Sequence, residues 1–192
     1  DTSNLNDTNQ RTVSPALSGT YTINSLLPTG GNNFIDFADA FSVFSSSGLC
    51  GPVVLNVSNG PYFGKLDIKN FNGSSPVNTI TINGNGASII DSGNGGGNYA
   101  IVLLDGADYV IIDSLNITGY ATTNQFGLQF MNGADNNTIR NCRIEVSQNV
   151  TTSLVSNVIF SASATSNSSY GNNGNYNLLE NNEIIGGYYG IR

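Results

Sequence analysis

The sequence predicts an all-β protein: a right-handed parallel β-helix of three short strands per coil, about four to five coils, with a short N-terminal capping helix. Two observations carry this. The first is an internal repeat. The run Gly106-Ala107-Asp108-Tyr109-Val110-Ile111-Ile112-Asp113-Ser114-Leu115-Asn116-Ile117 recurs 27 residues later, from Gly133 to Ile144, and its centre returns after a further 40 residues, from Tyr176 to Ile184. In each copy two apolar anchors stand five residues apart (Ile112 and Ile117, Ile139 and Ile144, Leu179 and Ile184), with Ser114, Asn141 or Asn181 between them. A fixed period of this length is what stacked coils produce. The second is composition. Charged residues make up 10% of the chain, against 23 Gly and 30 Asn. Turns that need positive φ or side-chain-to-backbone bonds must therefore be frequent, and long amphipathic helices have little room.

Residues 1–17 are polar and aperiodic and read as a mobile leader, with residues 18–192 forming the N-terminal part of a single β-helix domain. Ser18 to Ile23 alternates as a strand does. A helix follows over 34–44, capped by Asn33 with Asp36 at the capping-box position, its Phe34, Phe37, Ala38, Phe41 and Phe44 at helical spacing, and Gly48 stopping it. Its apolar face is expected to cover the first coil, because the exposed end of a parallel stack is a sheet edge that recruits other strands.

Val53 to Val57 opens the first coil, and Asn78–Asn83, Ser88–Asp91 and Ala100–Asp105 make the next. In the later coils the second and third strands are Asn116–Thr118 and Gly127–Phe130, Arg143–Val146 and Asn157–Phe160, then Glu183–Ile185 and Tyr189–Ile191. Leu55, Ile82, Ile112, Ile139 and Leu179 are expected to stack inside, and Ser114, Asn141 and Asn181 to form a polar ladder at a repeated bend. The 40-residue step is assigned to a Ser/Thr/Asn/Gly-rich insertion over 161–175, expected to protrude as a loop. The last coil ends uncapped at Arg192, so the chain is expected to be a fragment that continues.

The charge balance, 13 acidic against six basic residues and net −7, is the wrong sign for neutralising phosphates, so no nucleic-acid partner is expected. No apolar run approaches the ~20 residues of a membrane span, so no membrane insertion is expected. The absence of His excludes Ser-His-Asp and Cys-His nucleophiles and His-ligated zinc. Cys50 and Cys142 fall three coils apart, about 14 Å at ~4.8 Å per coil and beyond the ~7 Å reach of a disulfide, so they are expected to be unpaired. The glycines around Gly84, Gly86 and Gly93 lead into no helix N-terminus and read as turns rather than a phosphate cradle.

Outward charges fall at Lys65, Asp67, Lys69, Asp91, Asp113, Arg140 and Arg143, and Asp105, Asp108 and Asp135 sit at the Gly-Ala-Asp bend; all read as turns or solvated faces. No catalytic residue, metal ligand or cofactor is assigned. Tyr120, Tyr188 and Tyr189 follow Gly after second strands; they either cap bends or offer flat faces to sugar rings.

The run Leu17 to Ile23, the Phe/Ala helix, Gly51-Pro52-Val53-Val54-Leu55-Asn56-Val57, the Gly60-Pro61-Tyr62 turn and Asn78-Thr79-Ile80-Thr81-Ile82 together resemble the opening of pectate-lyase-like right-handed parallel β-helix domains. They look like those found in type IX secretion system cargo and surface proteins of gliding-type Gram-negative bacteria. The resemblance implies a secreted or cell-surface location, with a polysaccharide or cell-surface glycan and the secretion machinery as partners. Lyases of this kind use acidic clusters with an Arg or Lys, and the related hydrolases paired carboxylates. No such motif is matched residue by residue here. The expected function is therefore a non-catalytic, adhesin-like or glycan-binding module. The alternative is a polysaccharide lyase or glycoside hydrolase whose active site lies in later coils, and a third reading is export cargo with no ligand of its own.

Overall fold

The computed structural model describes residues 15–93 and 97–192, so residues 1–14 of the expected leader lie outside the described residues. The described chain is a parallel β-helix. It opens with β1 (Leu17–Asn24), β2 (Asn33–Phe34) and α1 (Phe37–Ser47). The first coil is β3 (Leu49–Ser58), β4 (Tyr62–Phe63) and β5 (Leu66–Lys69); the second is β6 (Ile80–Asn83), β7 (Ser88–Asp91) and β8 (Ala100–Asp105). The third is β9 (Val110–Asp113), β10 (Asn116–Gly119) and β11 (Gln125–Met131); the fourth is β12 (Thr138–Arg140), β13 (Arg143–Glu145) and β14 (Val155–Phe160). A fifth begins with β15 (Leu178–Glu180) and β16 (Glu183–Ile185), and its third side, expected as a strand over 189–191, is reduced to one bridge between Ile191 and Val158.

Each side of the coil stacks into one parallel sheet. Sheet A runs β15-β12-β9-β6-β3-β1-β2, sheet B β16-β13-β10-β7-β4, and sheet C β14-β11-β8-β5. The expected column is present. Leu55 pairs with Ile82, Ile82 with Ile112, Ile112 with Ile139 and Ile139 with Leu179, and the first four are fully buried. Each such side chain contributes about 1.5–3 kcal/mol by leaving water. Cys142 takes the buried position of Leu115 one coil on, Cys50 is exposed, and the two thiols are free.

Ser114, Asn141 and Asn181 do mark the bend between sheets A and B, but as left-handed residues (φ 56°, 54° and 52°) rather than as a side-chain ladder. The Ser114 hydroxyl (2.8 Å) and the Asn141 amide (3.0 Å) both donate to Asp113 Oδ1. The ladder of amides lies elsewhere. Asn137 accepts from Val110 N–H at 2.9 Å and donates to Ala107 C=O at 2.8 Å. Asn177 does the same for Asn137 N–H (2.8 Å) and Ala134 C=O (2.7 Å), and Asn182 for Cys142 N–H (3.0 Å) and Ile139 C=O (2.8 Å). Each amide bonds to two backbone groups of the coil below.

The helix begins later than its periodicity suggests. Asn33 is not its cap, because its amide donates to the carbonyls of Asn24, Leu27 and Pro28 and closes the 24–33 loop onto β1. Phe34 consequently pairs in β2. Asp36, in extended backbone, caps α1 by accepting from Asp39 N–H at 2.8 Å, and Gly48 (φ 73°) ends it. A side chain at Gly48 would also strike Asn72 O, 2.8 Å from the Cβ position. The buried face of α1 meets β1 and the first coil through aromatic rings: Phe37 against Tyr62, Phe41 stacked on Phe71, and Phe44 edge-on to Phe34, Phe41 and Phe71. The helix thus covers the end of the stack where sheets B and C begin.

The 161–175 segment does not simply protrude: its first half, 161–167, lies across the outer face of sheet C, while Tyr170 is fully exposed and Asn172 and Asn175 accept at the bend from Gly133 and Asn136 N–H. Ala100, Leu103, Phe126 and Ile159 form a second apolar cluster, separate from the interior and buried. Gln129 in β11 donates to Ser161 O (3.1 Å) and Ser163 O (2.9 Å), and Tyr99 N–H to Ala164 O (2.9 Å). An apolar outer face needs covering, and the insertion covers it.

Candidate functional site

The outward charges fall into three groups, one per sheet. On sheet C, Lys69 bridges Asp105 (2.8 Å) and Asp67 (3.2 Å); on sheet A, Arg140 pairs with Asp113 at 2.7 Å. On sheet B, Arg143 holds Glu183 (2.7 Å) and Glu145 (2.8 Å). Burial raises the Asp105 pKa, but the bonds from Lys69 and Asn132 outweigh it and hold the carboxyl below its ordinary range. Asp113 is lowered by the Asn141 amide, with Ser114 and Arg140 adding to it. A general acid or base needs the opposite displacement, toward the working pH. Asp108 and Asp135 are structural, accepting from the N–H of Asp135 and of Asn175 one coil on. Asp91 accepts from Gly93 N–H at 3.1 Å in its own turn. Among the described residues, no group of three or more acidic or thiol side chains could hold a metal ion.

Of the three tyrosines, Tyr188 and Tyr189 come together and Tyr120 stands apart. Tyr188 and Tyr189 meet edge-on at 4.8 Å, and the Arg192 guanidinium lies 4.6 Å over the Tyr189 ring, so Tyr189 is half-buried. Tyr120 and Tyr188 are open to solvent, 63% and 52% exposed, on the third and fifth coils at the bend that follows sheet B. A third ring on this flank is Phe63 of the first coil, 79% exposed. Its direction follows from strand alternation: Tyr62 turns inward, its hydroxyl donating to Ile23 O at 3.0 Å, so Phe63 turns out. Phe63 pairs with Ile90 and Ile90 with Thr118, two residues before Tyr120. Exposed rings therefore occur on the first, third and fifth coils, about 10 Å apart along the stack at ~4.8 Å per coil, at different points around it: Phe63 lies on sheet B level with Thr118, Tyr120 just past sheet B, and Tyr188, whose N–H donates to Val155 O at 2.7 Å, at the head of sheet C. The sequence offered almost no signal for this third ring, because β4 is two residues long and shows no alternation of its own.

At the foot of the flank, Phe63 forms one wall of a groove of about 280 Å³ between β4 and the N-terminus of α1, lined also by Ile35, Asp36, Phe37, Ala38 and Lys65. A second groove of about 270 Å³ shares Phe37, Ala38 and Lys65 and continues along α1 toward Lys69. Lys65 is half-buried and donates to the Asn98 carbonyl, and it alone among the described Lys and Arg side chains has neither a carboxylate partner nor an aromatic ring beneath it.

Comparison with known proteins finds no matching family model, no matching curated protein and no matching solved structure. The parallel β-helix stands on its own geometry.

Proposed function

We propose that this chain is a non-catalytic β-helix module of a secreted or cell-surface protein, exported as type IX secretion cargo, that binds glycan along the flank formed by sheet B and the bend after it. The observation that carries the reading is the set of exposed rings, Phe63, Tyr120 and Tyr188, on the first, third and fifth coils between sheet B and the head of sheet C. Aromatic faces at regular spacing suit a linear polymer whose sugar rings each present an apolar C–H face. The non-catalytic part is supported by the ion pairs that hold Asp67, Asp105, Asp113, Glu145 and Glu183. The pectate-lyase-like kinship and the export route rest on the opening residues Leu17 to Ile82.

The test is retention of the protein on insoluble polysaccharides, with Tyr120→Ala and Tyr188→Ala singly and together, beside an assay for release of reducing or unsaturated ends. The expected result is retention weakened about tenfold or more by the double variant, with no release. Stacking of this kind is worth about 0.5–1.5 kcal/mol per ring. Retention indifferent to both tyrosines overturns the flank as the binding surface. Turnover that survives purification supports the lyase or hydrolase alternative instead.

A further inference from the structure

We propose that the trough between α1 and the free edges of β4 and β5 docks an extended polypeptide segment of a partner protein, one that carries an apolar side chain and a single acidic residue. The inference goes beyond the glycan reading and does not rest on it, since Tyr120 and Tyr188 line neither groove.

The backbone is what asks for a peptide. β4 ends sheet B and β5 ends sheet C, so each has a strand on one side only, β7 and β8 respectively. Alternate residues of a strand turn their N–H and C=O groups to opposite sides. Those of β4 and β5 that turn away from the stack find no hydrogen-bond partner among the described residues, in α1 or elsewhere. Sheet A has no such gap, because β1 pairs along β3 at that level. The Phe side chains of α1 close the interior and leave these two edges bare. A bare edge is a template for another strand, and an added peptide supplies the missing rung with donors and acceptors at the right spacing.

The dimensions agree. The grooves, about 280 Å³ beside β4 and about 270 Å³ beside β5, share Phe37, Ala38 and Lys65 and form one trough. The four residues of β5 span about 13 Å at ~3.3 Å each. The facing wall of α1, Phe37 to Ser45, spans about 12 Å at ~1.5 Å per residue.

Side-chain chemistry narrows the partner. Beside β4 the wall is apolar, with exposed Phe63 and Ile35, Pro61 and buried Phe37, and it suits an apolar anchor. At the junction the Lys65 ammonium has three donors and gives one to Asn98 O. At the far end Lys69 is already held by Asp67 and Asp105. One acidic side chain, placed near the anchor, is therefore complementary. A longer acidic run is repelled by the net charge of −7.

The experiment selects nine-residue peptides from a random library displayed on phage against the folded chain. The enriched peptide is then synthesised and titrated, following backbone amide shifts and hydrogen exchange. The expected result is enriched sequences that share an apolar residue and one Asp or Glu, saturable shifts at Ile35–Ala38 and Lys65–Lys69, and slowed exchange in β5. Half-saturation should rise tenfold or more in Ala38→Trp and in Lys65→Glu, and a peptide with its acidic residue replaced by Lys should regain affinity for Lys65→Glu. Ala38 is exposed on α1, so the indole fills the trough without entering the core, and unchanged melting temperatures confirm that both variants fold. Tyr120→Ala and Tyr188→Ala should leave peptide affinity unchanged, which separates this site from the glycan flank.

Absence of enrichment, enriched peptides that shift other residues, or equal affinity in the wild type and Ala38→Trp overturns the site. Affinity indifferent to Lys65→Glu overturns the acidic partner. Self-association of the chain that Ala38→Trp abolishes assigns the trough to a second copy and overturns the separate partner. Trough shifts with cellopentaose and with no peptide overturn the polypeptide class and give the trough to glycan.

Discussion

Phe44→Ala should cost this protein about 4 kcal/mol, and the loss should be felt at one end of the stack. Phe44 is fully buried, with its ring 5.7 Å from Phe34, 5.6 Å from Phe41, 6.2 Å from Phe71 and 6.3 Å from Tyr21. Truncating a buried Phe to Ala costs roughly 3–5 kcal/mol in transfer energy and cavity. Four ring neighbours leave little freedom to collapse, which places the value in the upper half of that range. For a domain of this size each kcal/mol moves Tm by about 2–4 °C, so a fall of roughly 8–16 °C is expected. Because each coil touches only its neighbours, hydrogen exchange in the variant should quicken first in β1 and β3–β5, while β9–β14 retain protection. Phe63→Ala, at an exposed ring, should change stability by less than about 0.5 kcal/mol. A Phe44→Ala loss under about 1.5 kcal/mol, or exchange that quickens equally in all coils, would refute the view that this aromatic plug secures the N-terminal end.

Two further outcomes follow from the polar ladders. Asp105 and Asp113 have pKa values held below the ordinary ~3.9 in the folded state, so each adds stability that is fully present above that value and lost as pH falls through the folded pKa; melting followed from pH 6 to pH 2 should fall steeply below about pH 4 in the wild type and more shallowly in Asp105→Asn and Asp113→Asn, and identical profiles would contradict the ion-pair assignment. Asn137→Leu should destabilise by about 2 kcal/mol or more despite its apolar gain, since it strands Val110 N–H and Ala107 C=O at roughly 1–3 kcal/mol each; a neutral or stabilised variant by chemical denaturation would show that water serves those groups instead.

Much of the stack was legible because the repeat fixes register directly: once Ile112 and Ile139 are aligned, every neighbour follows with period two. The left-handed bend was visible as Ser, Asn, Asn at one offset, yet its bonding was not, since an Asn at a bend and an Asn just before the next strand look alike in sequence. Asn33 misled for a related reason, as an amide that closes a loop resembles one that caps a helix. The insertion reads as a loop by composition. What contradicted its protrusion was the run Ala100-Ile101-Val102-Leu103-Leu104, which fails to alternate because both faces of sheet C are covered. Tyr120, Tyr188 and Tyr189 were singled out by their place after the second strand, and the structure leaves the first two exposed and the third half-buried. Phe63 was missed because a two-residue strand gives almost no periodic signal, and the groove because Ile35, Phe63 and Lys65 meet only through the packing of α1.

The uniform parallel stacking also decides how such a module answers mechanical load. The hydrogen bonds between strands point along the stack, so a pull along its axis opens one coil before the next is stressed, and the rungs fail in sequence at low force. A pull directed along the strands, across the stack, shears all the bonds of a rung together and meets far greater resistance. Under the proposed function, a polymer bound beside sheet B and running down the stack would transmit tension in the weaker direction, spread over rings on the first, third and fifth coils. The coil nearest the attachment would yield first, lengthening the module while the remaining coils stay folded.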